Sequence, residues 1–389
     1  MRHKLSEIFD LQMGKTPSRN NSEYWSSNDH KWVSISDMSG YVKYVDDTKE
    51  YISDQAVKES GIKTIPVNTV IMSFKLSIGK TAITTEPIFS NEAIMAFVDK
   101  KVVEMDPEYI FYLFSGKDWD EGSNKAVMGK TLNKATLSNI EVDIPDIDIQ
   151  KQRIEKLNFV SDLIANKKQQ LDKLDELVKA RFVEMFGEFD LTSQRSDWVK
   201  LSELGEIISG STPKTGINEY WNGDICWITP AELTSMSGIV TDSVKKITEA
   251  GKNSCSLRLM PAGTVILSSR APIGKVALLG KEMCCNQGFK NIICNEKVMP
   301  EYLYYLLAYN TSFLNSLGRG ATFKEISKKI VEEIKIPLPT ISQQNQFIAF
   351  TKQVDKSKFA LSNELTMCNF YIRLIHDCVM HGRINLRMA

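Results

Sequence analysis

"KLSEIFDLQMGKTPSRNNSEYW" (4–25) returns as "KLSELGEIISGSTPKTGINEYW" (200–221). Working outward, "KWVSIS" (31–36) matches "CWITPA" (226–231), and "MSFKLSIGK" (72–80) matches "LSSRAPIGK" (267–275). "DPEYIFYLF" (106–114) faces "MPEYLYYLL" (299–307), and "IPDIDIQKQ" (144–152) aligns with "IPLPTISQQ" (336–344). The anchors keep their order at a period of about 195 residues, which is too long for a solenoid and marks one duplicated unit.

Each copy splits in two. The first part mixes short β-type runs (Trp32 to Ser36, Val67 to Phe74, Ile140 to Ile144) with helical stretches such as Pro107 to Ser115 and Gly/Pro/Asn turns. It reads as a mixed α/β globule of the α+β type. The second part is a long helix: Leu157, Ile164, Leu171 and Val178 recur every seven residues, with Val160 and Leu174 between them. Gly187 stops this helix. The second copy answers with Phe347, Val354, Leu361, Cys368 and Ile375, flanked by Phe350 and Tyr371, from a Thr340/Gln343 capping box to Gly382. Sustained heptads predict a coiled coil. The expected division is a globule at 1–149, a helical spacer and linker at 150–199, a second globule at 200–340 and a second helical spacer at 341–389. The short link Glu188 to Val199 makes the helices antiparallel, with a globule at each end and a pseudo-two-fold axis between. A helix of about 38 residues spans roughly 57 Å.

Composition narrows the function. The 389 residues carry 48 basic and 48 acidic side chains, so no uniform basic surface is available. No apolar run approaches the roughly 20 residues of a membrane span, and the N-terminus lacks an apolar signal core, which predicts a cytoplasmic protein. All seven cysteines lie in the second copy or its helix, without the spacing of a zinc or redox motif, so they read as plain thiols. Gly79-Lys80-Thr81 resembles the end of a P-loop, but Phe74 stands where the motif needs glycine. With no nucleophile elbow, metalloprotease helix or dinucleotide loop either, the chain reads as a binding module with no catalytic or metal-ligating residues.

The duplicated G-x-T-P, E-Y-W, I-G-K and I-P-x-x-x-I-x-x-Q series, with "ELVKARFVEMFG" (176–187) closing the first helix, resembles the DNA-specificity (S) subunit of type I restriction–modification enzymes. The resemblance implies two target recognition domains, each reading one half of a bipartite, asymmetric site in double-stranded DNA. It implies that the helices space the half-sites and dock two methyltransferase (modification) subunits, which restriction (motor-nuclease) subunits join. S-adenosylmethionine, ATP and magnesium would then belong to those partners, with no cofactor on this chain. Deleting one heptad, roughly 10 Å of helix, should shift the preferred spacing. Two readings compete: a methyltransferase or nuclease with its own active site, and a coiled-coil scaffold with no nucleic-acid role.

Charge by segment locates candidate contacts. Residues 1–149 hold 17 basic and 23 acidic groups, net −6, whereas 200–340 hold 16 and 13, net +3. Acid-free stretches carry Lys75 and Lys80 in the first copy, and Arg270 and Lys275 at the matching places. An arginine there suits guanine O6 and N7, and the lysines beside Gly79 and Gly274 suit phosphate. Asn91 matches Asn286, followed by Glu92 in one copy and Gln287 in the other, a difference that fits different bases. Lys130, Thr131 and Lys134 in the first copy, with Arg319, Thr322 and Lys324 in the second, sit before helical stretches whose amides suit phosphate. Thr16-Pro17 and Thr212-Pro213 read as loop formers, and Tyr24-Trp25 and Tyr220-Trp221 as core aromatics rather than base-stacking platforms.

Overall fold

The computed structural model describes residues 2–381 except 76, 118, 120–123, 127–128, 189, 234–235, 271 and 319–323, so Gly382 lies outside the described residues. The chain divides into two compact units, 1–169 with 361–389, and 170–360. Each joins one globule to part of both long helices.

The two globules share one topology. In the first, a five-stranded sheet runs in the order Phe9–Met13, Ile94–Asp99, Val70–Ser73, Thr81–Thr84, Tyr44–Val45. In the second, the order is Gly205–Ser209, Phe289–Cys294, Val265–Ser268, Val276–Leu279, Met236–Val240. The strands before and after the I-G-K loop form an antiparallel hairpin in both. A three-stranded sheet follows in each: Glu50–Ile52, His30–Val33, Phe89–Ser90, and Lys245–Ile247, Trp221–Ile228, Cys284–Cys285. The predicted helix Pro107–Ser115 forms between those residues, with Asp106 capping its first turn and Pro107 at a position where no amide hydrogen is needed. It covers the first hairpin with a solid apolar face, and Pro300–Tyr309 does the same in the second globule.

The long helices are Ile147–Phe186 and Ile341–His381. The first ends where Gly187 takes a φ of 84° and its amide donates to Val183 O at 2.7 Å. The predicted capping box opens the second: Gln343 N donates to Thr340 Oγ1 at 3.3 Å and Thr340 N to Gln343 Oε1 at 3.0 Å. Within the first unit, Lys167 pairs with Glu364, and Leu157 shares a cleft with Ile372 and His376, so the helices run antiparallel. Within the second, Asp175 pairs with Lys358, and the Phe182 and Phe347 rings lie 5.3 Å apart, again antiparallel. The heptad stripe is the inward face, with one exception. Tyr371 is exposed, and Ile372 and His376 face inward beside Ile375 instead.

Two buried glutamines fix the helix starts and correct the alignment of the copies. Gln150 accepts from Asp106 N at 2.9 Å and donates to Glu104 O and Pro145 O at 2.9 and 2.8 Å. Gln344 accepts from Met299 N at 2.7 Å and donates to Lys297 O and Pro339 O at 3.3 and 2.9 Å. Ile144-Pro145 therefore corresponds to Leu338-Pro339, not to Ile336-Pro337, a shift of two residues from the letter match. Strand pairing agrees: Val142 faces His3 as Ile336 faces Val199.

The copies hold their helices by different chemistry. In the first unit, Lys43 donates to Glu108 at 2.8 Å and to Asn158 at 2.6 Å, and Tyr44 donates to Glu108 at 2.6 Å. Burial alone would raise the Glu108 carboxyl, but hydrogen bonds from Lys43, Tyr44 and Asn158 hold it below its ordinary range. In the second, an aromatic cluster of Phe182, Phe186, Tyr302, Tyr305 and Phe347 fills the joint.

Candidate nucleic-acid interface

The conserved order of motifs builds a repeated loop edge. In the G-x-T-P turn, a Cβ on Gly14 would meet Asn91 O at 2.3 Å and one on Gly210 would meet Asn286 O at 2.0 Å, so only glycine permits the approach. Asn91 donates to Thr16 Oγ1 at 3.0 Å and accepts from Ala93 N at 2.8 Å. Asn286 donates to Thr212 Oγ1 at 3.1 Å and accepts from Gly288 N at 2.7 Å. Thr16 donates to the Glu92 carboxylate, and Thr212 to the Gln287 side-chain carbonyl. Both asparagines are thus turn-formers, and the residue that differs between copies rests on the shared threonine. Behind this turn, Trp32 Nε1 donates to Lys15 O and Trp227 Nε1 to Ser211 O, each at 3.0 Å. Trp25 and Trp221 pack edge-on against those tryptophans at 5.0 and 5.1 Å, partly buried at the margin of the core.

The I-G-K loops are near copies of each other. Gly79 N donates to Ser73 O at 2.9 Å and Gly274 N to Ser268 O at 3.0 Å, with φ of 88° and 89°. Lys80 donates to Ser39 Oγ at 2.5 Å, and Lys275 donates to the Pro230 and Leu233 carbonyls. These two ammonium groups tie the loop to a neighbouring turn inside the globule. Ahead of them, Lys75 is half-buried with its ammonium 5.3 Å from the Phe74 ring centre. Arg270 is exposed, and its Nε donates to Glu325 Oε2 at 3.0 Å.

The third segment of the edge also needs realignment. Leu132 N donates to Phe74 O at 3.0 Å, and Ile326 N to Ser269 O at 2.8 Å. Thr131 therefore corresponds to Glu325 rather than to Thr322, and Lys130 to Lys324. Gly129–Thr131 is a strand paired with Asn124–Ala126, which sets Lys130 opposite Lys125. The following helix, Lys134–Ser138, is capped by Asn133, so Thr131 does not lead it, and Lys134 is exposed at its first position. Lys324 is exposed as well, and Arg319 and Thr322 lie outside the described residues. Among the described residues, Lys75, Lys134, Arg270 and Lys324 have no partner inside the globule that consumes the whole charged group.

Sequence reading missed Lys290. It is 5% exposed, within 3.2 Å of Ser269 Oγ and 3.3 Å of Glu325 Oε1. Its signal was its place in the buried strand Phe289–Cys294, where the first copy has Met95. Elsewhere, burial raises the Cys284 thiol to about 11 and Cys294 to about 12, which makes them poor nucleophiles at neutral pH. Among the described residues no cluster of three or more His, Cys, Asp or Glu could hold a metal ion, and no helix is long and apolar enough to cross a membrane.

With this geometry in hand, the family model for the type I restriction modification DNA specificity domain matches residues 1–176 and 195–367, once per copy. The chain belongs to that specificity family. Similar members include the Methanocaldococcus jannaschii type I restriction enzyme MjaIX specificity subunit, 40% identical over 184 residues, 46% of this chain and 43% of that one. The putative MjaX specificity subunit of the same organism is 27% identical over 268 residues, 65% and 62% of the two chains. The Escherichia coli EcoR124I/EcoR124II specificity subunit is 29% identical over 177 residues, 44% and 42%. In each case the match spans less than two thirds of the relative. Fold likeness extends further. A chain from work on complex assembly and conformational transition of the type I restriction–modification system aligns with TM-score 0.64 and 17% identity, over 99% of this chain and 98% of that one. The S subunit from M. genitalium aligns with TM-score 0.52 and 13% identity, over 98% and 96%.

Proposed function

We propose that this chain is the non-catalytic DNA-recognition subunit of a type I restriction–modification complex. Each globule reads one half of a bipartite, asymmetric duplex site, and the helices set the spacing and dock two methyltransferase subunits. Restriction subunits complete the assembly, and S-adenosylmethionine, ATP and magnesium are used on the partners.

One observation carries this reading: two globules share backbone topology and loop-locking hydrogen bonds, yet differ in the residue types along the loop edge. Lys75, Glu92 and Thr131 stand in one where Arg270, Gln287 and Glu325 stand in the other. A constant scaffold with divergent polar loops is what reading two different half-sites requires, because base edges are told apart by donor and acceptor placement. Exposed cations on a neutral body supply phosphate contacts without a uniformly basic surface. The test is co-expression with an adenine-methyltransferase-like protein from the same genome, followed by mapping of methylated bases. A stable complex and an asymmetric two-part motif are expected. No complex and no bipartite methylation would defeat the proposal, whereas S-adenosylmethionine bound by the isolated chain would favour an enzyme.

A further inference from the structure

In the second globule, three charged residues form a chain from the interior to the surface: Lys290, Glu325 and Arg270. Lys290 comes from a central strand with its side chain only 6% exposed, and Glu325 Oε1 lies 3.3 Å from its ammonium. The other carboxylate oxygen of Glu325 accepts from Arg270 Nε at 3.0 Å. Arg270 and Glu325 face each other across an antiparallel bridge, so their backbones as well as their side chains are registered. The Arg270 side chain is 49% exposed.

The chemistry of this arrangement is directional. An arginine side chain carries five N–H donors in a rigid plane. Holding it through Nε fixes that plane and leaves the terminal nitrogens to present a two-pronged donor. The matching ligand is a pair of acceptors on one planar edge, which in the major groove is guanine O6 and N7. Glu325 alone would also neutralise the arginine it holds. Lys290 compensates, since two cations share one carboxylate and the surface keeps net positive charge. A buried lysine is costly unless paired, so its presence under this loop calls for a reason.

The first copy has none of the three. Lys75, Met95 and Thr131 occupy the corresponding positions, and Met95 is fully buried. All three members change together.

We propose that Arg270 reads a guanine in the half-site of the second globule, with Glu325 and Lys290 as positioning residues. The inference rests on the DNA-recognition reading above and adds the base and the device that presents the reader. It is tested by selection from randomised duplexes at low salt with the full chain, comparing wild type, Arg270→Lys, and the double variant Glu325→Thr/Lys290→Met. The double variant removes the buried ammonium with its partner and installs the residues of the first copy.

Arg270→Lys should cost the preference for one guanine, roughly 5- to 150-fold, in one half-site. The double variant should weaken preference at that same position and leave the other half-site intact, with the wild-type unfolding temperature showing that folding is preserved. Retention of every guanine in a wild-type motif by Arg270→Lys would overturn the assignment of the base alone. Equal weakening of all sequences would overturn it by making Arg270 a phosphate contact. Full preference in a folded double variant would overturn the positioning role. If the wild-type chain enriches no motif even when assembled with its methyltransferase subunits, the recognition reading falls, and this inference falls with it.

Discussion

Replacing Gln150 with Met, similar in length but without polar atoms, should loosen the first unit by about 3 to 4 kcal/mol. The side chain is fully buried and makes three hydrogen bonds, each to a backbone group. A neutral hydrogen bond contributes about 1 kcal/mol net, and a buried group left without its partner costs about 1–3 kcal/mol. Three groups are stranded at once, namely Asp106 N, Glu104 O and Pro145 O. Water reaching partly exposed carbonyls and the added apolar burial offset some of that loss. Because the chain has two compact units, one global unfolding energy is not the right readout. Hydrogen exchange followed by mass spectrometry is local: segment 104–113 should exchange about two to three orders of magnitude faster in Gln150→Met, with 297–305 unchanged. Gln344→Met should do the reverse. An effect below 1 kcal/mol, or one spread equally over both units, would refute the view that each glutamine clamps its own helix start.

Gly274→Ala should destabilise the second globule by about 1–3 kcal/mol in chemical denaturation, because φ is 89° and the new Cβ would lie 2.8 Å from Thr311 Cγ2. Asp242 is held at about 2, below its ordinary 3.8, by the Cys226 thiol, the Ser243 amide and then the Lys246 charge. Its folded value lies below its unfolded one, so its stabilising contribution is complete above pH 3.8 and is lost as pH falls through 2. A carboxyl titration by NMR should show this midpoint, and Cys226→Ala should move it upward. Lys134→Ala and Lys324→Ala should each weaken DNA binding for all sequences alike and reduce the salt slope by about 0.9, measured by titration at several ionic strengths. A change of preferred sequence in either variant would show a base contact instead.

The features legible in the sequence were those with local periodicity. The duplication, the heptad stripes, the helix Pro107–Ser115 and the stop at Gly187 follow from spacing and from residue-specific backbone preference. Across the last anchor the letters misled. "IP" occurs at both 144 and 336, yet burial of Gln150 and Gln344 and the pairing of Val142 and Ile336 set a different register. Two-letter identity is weaker than three buried hydrogen bonds, but only non-local pairing reveals those bonds. A separate shift, of three residues, paired Thr322 wrongly with Thr131. For the site, Arg270 stood out because it lies in an acid-free loop. Its partner Glu325 is 55 residues away, and sequence distance hides a bridge of that kind. Lys80 and Lys275 looked like surface charges because nothing in "IGK" shows the neighbouring turn that receives their ammonium groups.

The coupled trio in the second globule bears on how new specificities arise. Passing from Lys75, Met95 and Thr131 to Arg270, Lys290 and Glu325 one residue at a time leaves a sealed, unmatched charge whenever the lysine of the central strand arrives before the glutamate, because only that ammonium is buried. Breaking a buried pair costs about 3–5 kcal/mol, a large share of what holds a domain of this size together. Stepwise drift in that order is therefore steeply uphill. Exchange of the whole segment between related genes crosses in one event, since strand 289–294 and loop 324–326 travel on the same stretch of DNA.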